Sequence, residues 1–143
     1  MARRYTHSVK RTVTTAEALI EITAASGKPV KVIYASITPA SNATNQLLEA
    51  AIQKASVGAT ATTRTPVPLH PGDAAMFATV KDTVTVVPTF TAATEVGYEG
   101  FSSLSGWRYF GGLTIIPGEI HELRMVAAPG ASIDLVATIV MEE

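Results

Sequence analysis

Apolar side chains occupy every second position of residues 132–141, Ser-Ile-Asp-Leu-Val-Ala-Thr-Ile-Val-Met, namely Ile133, Leu135, Ala137, Ile139 and Met141. Successive side chains of a β-strand point to opposite faces of a sheet. The period of two therefore predicts a strand that is buried on one face and closes the sheet. Residues 30–38 alternate in the same way, but both faces are largely apolar, which is typical of a strand in the middle of a sandwich.

The rest of the chain favours strands as well. Val and Ile together outnumber Leu three to one, and β-branched side chains fit a pleated, half-buried surface. Further strand-like runs lie between turns that contain Pro or Gly, at residues 9–15, 17–24, 81–87, 107–116 and 121–127. We therefore expect an all-β protein with a jelly-roll-like antiparallel β-sandwich. Residues 16–143 form its single domain, and residues 1–15 form a basic N-terminal arm or an edge strand.

Residues 46–56, Gln-Leu-Leu-Glu-Ala-Ala-Ile-Gln-Lys-Ala-Ser, fit two structures. Their composition favours a helix, because Leu, Ala, Glu, Gln and Lys are good helix formers. Leu48, Ala50 and Ile52 also trace one face of a strand. We predict a strand, because a lone helix would interrupt the order of the sandwich.

The composition of the chain excludes several classes of function. Only 16% of the 143 residues are charged, against about 25% in an average protein, so we expect part of the surface to meet another protein. The net charge of −1 argues against a nucleic-acid partner, and no apolar run approaches the roughly 20 residues that span a membrane. The absence of Cys excludes disulfides and thiolate metal sites.

Few residues carry a pattern typical of catalysis. His70 and Asp73 are a conceivable metal pair, and His121 with Glu122 could add two ligands from another strand. Glu95 and Glu99 are the best candidates for paired catalytic carboxylates. Solvated surface and loop charges are the better explanation for these residues, and we predict no metal, no cofactor and no enzyme activity.

The chain has one aromatic cluster, formed by Trp107, Tyr109 and Phe110 with Tyr98 and Phe101 nearby. Trp107 and Tyr109 are two residues apart, so on a strand they share a face and could fill the core. The same side chains could anchor a protein interface or stack on a sugar. All three roles are left open, and Trp107, Tyr109 and Phe110 are candidate partner-binding residues.

The N-terminus carries the one marked charge asymmetry. Arg3, Arg4, Lys10 and Arg11 precede the first carboxylate, Glu17. Such a segment can reach an acidic neighbour, or it can be a solvated terminus. We treat these four cations as candidate partner-binding residues and expect deletion of residues 2–11 to leave the fold intact.

The order of these elements resembles a family of small β-sandwich proteins encoded near the capsid genes of tailed bacteriophages and prophages. The matching pieces are residues 31–37, the polar loop 39–45, residues 47–53, 58–62, 66–73 and 87–89, and Trp107 shortly before Gly111-Gly112. The resemblance implies a virion structural protein, best described as a capsid decoration or cement protein. Its partner would be the major capsid protein, and it would bind as a homo-oligomer, with a trimer favoured. It would be made in the host cytoplasm and end on the capsid surface.

Two other functions remain open at this stage. A tail or head–tail junction protein would also be an inert virion component. A carbohydrate-binding β-sandwich module would need exposed, coplanar aromatic rings, with Trp107 as the first residue to test.

Overall fold

The computed structural model describes residues 2–40 and 45–143, so the predicted loop 39–45 lies mostly outside the described residues. The described residues form strands and no helix. The strands are β1 (Arg4–Val13), β2 (Ala18–Thr23), β3 (Val30–Pro39), β4 (Leu47–Val57), β5 (Thr60–Arg64), β6 (Val67–Pro68), β7 (Thr79–Val86), β8 (Thr89–Phe90), β9 (Val96–Ser102), β10 (Trp107–Ile115), β11 (Ile120–Met125) and β12 (Ile133–Glu142).

These strands form two packed sheets whose pairings are all antiparallel. Sheet A has the order β10-β3-β12-β1-β6. Sheet B has the order β5-β7-β2-β11-β4-β8, and β9 also pairs with β4. The predicted antiparallel β-sandwich is confirmed. The finer jelly-roll assignment stays a prediction, which the alternation of β1 to β4 and of β9 to β12 between the sheets supports.

Strand β12 has the burial pattern that its sequence predicts. The five alternating apolar residues, from Ile133 to Met141, are each at most 1% exposed, while the residues between them are partly exposed. Their side chains pack against Ile20, Ile22, Ile52 and Leu123 of sheet B in one core. The core therefore lies between the two sheets.

Residues 47–57 form strand β4, as predicted. Leu48, Ala50 and Ile52 lie in the core, and β4 pairs with β11 on one side and with β8 and β9 on the other. Pairing on both sides satisfies the backbone hydrogen bonds of the strand. Tertiary pairing thus outweighs a helix preference that amounts to fractions of a kcal/mol per residue.

The N-terminal residues form a strand and are not a free arm. All ten residues of β1 pair with β12, and Tyr5 is buried with its hydroxyl donating to the Ala74 carbonyl at 3.0 Å. On its other side β1 pairs with β6 at Tyr5 and Thr6. Removing residues 2–11 would take most of a strand from sheet A, so the expectation that this deletion leaves the fold intact is wrong.

Asp82 links the two sheets at the side where β1 faces β7. Its buried carboxylate lies 2.8 Å from the His7 Nε2 atom of sheet A and accepts hydrogen bonds from Arg64 and Thr83. Burial alone would raise the pKa of Asp82, but the hydrogen bonds from Arg64, Thr83 and His7 outweigh burial and hold the pKa below its ordinary value.

Candidate interaction surface

The aromatic cluster of the sequence is divided between the two faces of strand β10. Trp107 pairs with Ile37 and is 2% exposed in the core, and Tyr109 packs beside it with the rings 6.4 Å apart. Phe110 points to the opposite face and is 75% exposed. Trp107 and Tyr109 therefore fill the core, whereas Phe110 is free to contact a partner.

The cations of strand β1 are also divided between the two faces of sheet A. Arg4 and Lys10 alternate with the core residues Tyr5 and Val13, so they lie on the outer face of sheet A. Arg11 points inward, where it contacts Glu17 and donates to the Val84 carbonyl. Of the predicted residues, Arg4, Lys10 and Phe110 thus share one face.

An aromatic pair lies at the β10 side of this outer face. The rings of Phe110 and Tyr34 are 5.1 Å apart and tilted by 56°. The pairing register continues the row across the sheet, because Tyr34 is opposite Val140 and Val140 is opposite Thr6. The register of β10 against β3 shifts between Phe110 and Leu113, so the two glycines at 111 and 112 form an irregularity in the strand. A row of Phe110, Tyr34 and Val140 therefore crosses the outer face and ends at Thr6, and Phe110 is its most exposed member.

Cations surround this row. Arg4, Lys10, Lys31 and Arg108 are exposed on the outer face, and Asp134 and Glu142 are its two carboxylates. Four positive and two negative groups give the face a net charge of +2, whereas the whole chain carries −1. Arg4 pairs with Glu142 at 3.0 Å and Lys10 with Asp134 at 3.8 Å, and both cations are largely exposed. The face is therefore suited to a partner surface that is apolar in the middle and acidic at its margin.

A cleft of about 720 Å³ opens at the start of β1. It is lined by Ala2, Arg3, Arg4, Leu69, His70, Asp73 and Glu142. The conceivable metal pair, His70 and Asp73, lies here, while His121 and Glu122 belong to β11 of sheet B. Within residues 2–40 and 45–143, no group of three or more His, Cys, Asp or Glu residues is arranged to hold a metal ion.

The proposed carboxylate pair Glu95 and Glu99 is not brought together in one site. Glu95 accepts a hydrogen bond from the Gln53 side chain at 3.1 Å, and Glu99 is an exposed residue of β9.

A buried polar row on sheet B was missed by the sequence analysis. Glu122 of β11 is opposite Glu21 of β2 and Gln53 of β4, and Lys81 of β7 is opposite Glu21. Glu21, Gln53 and Glu122 are at most 3% exposed. A signal was present at Glu21, which interrupts the apolar run of β2, whereas β11 also contains His121 and Arg124, and only the register shows that Glu21 and Glu122 meet.

The pKa values of Glu21 and Glu122 are shifted in opposite directions. Burial, together with the adjacent Glu21 carboxylate, raises the pKa of Glu122 to about 10. Burial would also raise the pKa of Glu21, but the neighbouring Glu122 carboxyl, the hydrogen bond from the Ala59 N–H and the ion pair with Lys81 hold it below its ordinary value. At neutral pH the pair thus contains one proton, which resides on Glu122, and neither Glu122 oxygen has a hydrogen-bond partner within the described chain.

Comparison of the chain with protein-family models, curated proteins and solved structures found no match. The described part of the chain contains no helix with the length and apolar character that a membrane crossing requires.

Proposed function

We propose that this protein is a structural component of a bacteriophage virion, a capsid decoration (cement) protein that binds the shell surface and stabilises it. The observation that carries the proposal is the exposed outer face of sheet A, where Phe110 and Tyr34 form an aromatic pair within a ring of cations. Large exposed aromatic side chains are the usual anchors of protein interfaces. The proposal includes no catalytic step, cofactor, nucleic acid or membrane.

The size of the face supports binding as an oligomer. Four strands about 4.8 Å apart and about 30 Å long give roughly 500–600 Å² of sheet face. A stable interface buries about 800 Å² of each partner. One copy would therefore bind weakly, and several linked copies would gain avidity on a shell that repeats its sites by symmetry. We propose a homo-oligomer, with a trimer favoured, whose subunits bridge neighbouring capsid proteins.

The aromatic geometry favours a protein partner over a sugar. Trp107, the residue first considered for carbohydrate stacking, is 2% exposed and directs its indole N–H to the Gly97 carbonyl at 2.9 Å. The rings of Phe110, which is exposed, and Tyr34, which is half-buried, are tilted by 56°, so they do not form the coplanar platform that a carbohydrate-binding module needs.

Replacing Phe110 by Ser is expected to weaken binding to the shell about tenfold or more, as loss of an interface anchor does. The measurement is co-sedimentation of the purified protein with empty shells assembled from the capsid protein encoded nearest to its gene. Leu47→Ser is the matched control, because Leu47 is 72% exposed but lies on sheet B.

Equal binding of the Phe110→Ser variant and the parent protein would remove the outer face of sheet A from the proposal. Failure of the parent protein to co-sediment would contradict shell binding itself. Sedimentation of the free protein reports its oligomeric state, and a position restricted to the tail or one capsid vertex would assign it to the tail or head–tail junction.

A further inference from the structure

The cleft at the start of β1 has the size of a ligand site. Its volume of about 720 Å³ lies within the range of roughly 300–1,000 Å³ that is usual for binding pockets. Its walls come from residues 2–4, from residues 69–73 and from Glu142 at the end of β12. The Leu69 N–H donates to the Arg4 carbonyl at 2.8 Å, which holds the first two walls together.

Two arginine side chains line this cleft with unused donors, and Asp73 and Glu142 of the same cleft balance their formal charge. Arg3 contacts Asp73 through Nε at 3.9 Å, and Arg4 contacts Glu142 through Nε at 3.0 Å. A guanidinium group has five N–H donors, and its two Nη groups form a fork that matches a carboxylate or phosphate. Within the described residues, neither fork has a protein partner.

An apolar wall accompanies the two forks. Leu69 is 52% exposed, and Ala2 lines the same cleft. A small anion such as phosphate would engage the forks but would leave this apolar wall in water. An extended peptide can place carboxylates at the forks and an apolar side chain against Leu69 at the same time.

We propose that this cleft binds an extended acidic peptide segment of a partner chain. Carboxylates of the segment pair with the Nη groups of Arg3 and Arg4, and an apolar side chain between them covers Leu69. This site shares Arg4 and Glu142 with the margin of the outer face, but it does not include the aromatic pair of Phe110 and Tyr34 and does not depend on the decoration function.

The test is fluorescence anisotropy of a labelled, end-capped peptide, Asp-Leu-Asp-Leu-Asp, titrated with the full chain at low ionic strength. We expect saturable binding that weakens at least tenfold for the matched amide peptide, Asn-Leu-Asn-Leu-Asn. Arg3→Gln and Arg4→Gln are each expected to weaken binding at least tenfold, because each removes one fork. Arg4→Lys keeps the charge but lacks the fork, so it should bind the peptide more tightly than Arg4→Gln and less tightly than the parent protein.

Lys54→Gln is the control, since Lys54 is also paired with a carboxylate, Glu119, but lies on sheet B. It should bind the peptide as the parent protein does. Phe110→Ser should also bind normally, so a failure of shell binding and a failure of this cleft are distinguishable. No saturable binding, equal binding of the amide peptide, or inorganic phosphate binding as tightly as the acidic peptide would each overturn the proposal.

Discussion

Replacing Glu122 by Gln is expected to stabilise the protein by on the order of 2–3 kcal/mol at pH 7 and to remove the contribution of Glu122 to the pH dependence of its stability. Glu122 is completely buried, and neither of its carboxylate oxygens receives a hydrogen bond from an N–H or O–H donor of the described chain. An ionised Glu122 would therefore be both desolvated and unsatisfied. The amide of Gln stays neutral at every pH and therefore avoids the cost of burying a charge.

The sign of the pH effect follows from the two states of Glu122. The pKa of this group is about 10 in the folded protein, against an ordinary value of 4.5. Between these values the folded state holds a proton that the unfolded chain has released. The contribution of Glu122 to stability is therefore fully present below about pH 4.5 and is lost as the pH rises toward 10. Lys81 and Arg124 lower the pKa of Glu122 but do not outweigh its burial.

The measurement is urea unfolding at several pH values between 5 and 9. Glu21→Gln provides an internal contrast, because Glu21 is the ionised member of the pair and accepts hydrogen bonds from the Ala59 N–H and from Lys81. It should destabilise the protein at neutral pH, whereas Glu99→Gln, on the surface, should change little. An unchanged pH dependence in Glu122→Gln, or a loss of stability at pH 7, would contradict a protonated Glu122.

The sequence predicted the parts of the fold that depend on local periodicity. The alternation of β12 is complete, so one register of side chains buries five apolar residues, and no other secondary structure would do so. In β4 the apolar face of Leu48, Ala50 and Ile52 was also visible, although the composition favoured a helix. The strand is favoured by non-local contacts, because β11, β8 and β9 all pair with β4.

The candidate surface could be predicted only in part, because residues that are adjacent in a strand point to opposite faces of the sheet. Lys10 and Arg11 look like one basic patch, but β1 sends Lys10 outward and Arg11 inward. Tyr109 and Phe110 are divided in the same way. Strand phase would have separated these pairs, if the residues had first been assigned to strands.

The buried acid pair and the cleft depend on contacts between distant segments. Glu21 and Glu122 meet because β2 and β11 pair in one register, and a shift by one residue in either direction would place an Ile opposite Glu122 and separate the two carboxyl groups. The cleft joins residues 2–4 with residues 69–73 and Glu142. No local pattern in the sequence specifies either arrangement.

Replacing Trp107 by Ala is expected to lower the free energy of unfolding by about 3–5 kcal/mol, the usual loss for a large buried aromatic side chain. Trp107 is the only Trp of the chain, is 2% exposed and stacks on Tyr109. Its ring also lies close to Gly97, where a Cβ atom would come within 3.3 Å of it and 2.9 Å of Tyr109. The cavity left by Ala would therefore lie between β9 and β10, where the Trp107 ring of β10 packs against Gly97 of β9.

Trp107→Phe separates packing from hydrogen bonding, because Phe keeps much of the ring volume but loses the N–H that donates to the Gly97 carbonyl. Its loss of stability should be smaller, about 1–3 kcal/mol. Phe110→Ala is the control on the same strand, and since Phe110 is 75% exposed we expect a change of about 0.5 kcal/mol or less. Guanidinium unfolding followed by circular dichroism measures all three variants. If Trp107→Ala were no less stable than Phe110→Ala, the ring could not be the core element that the burial of β10 requires, and an exposed, ligand-binding role for Trp107 would have to be considered again.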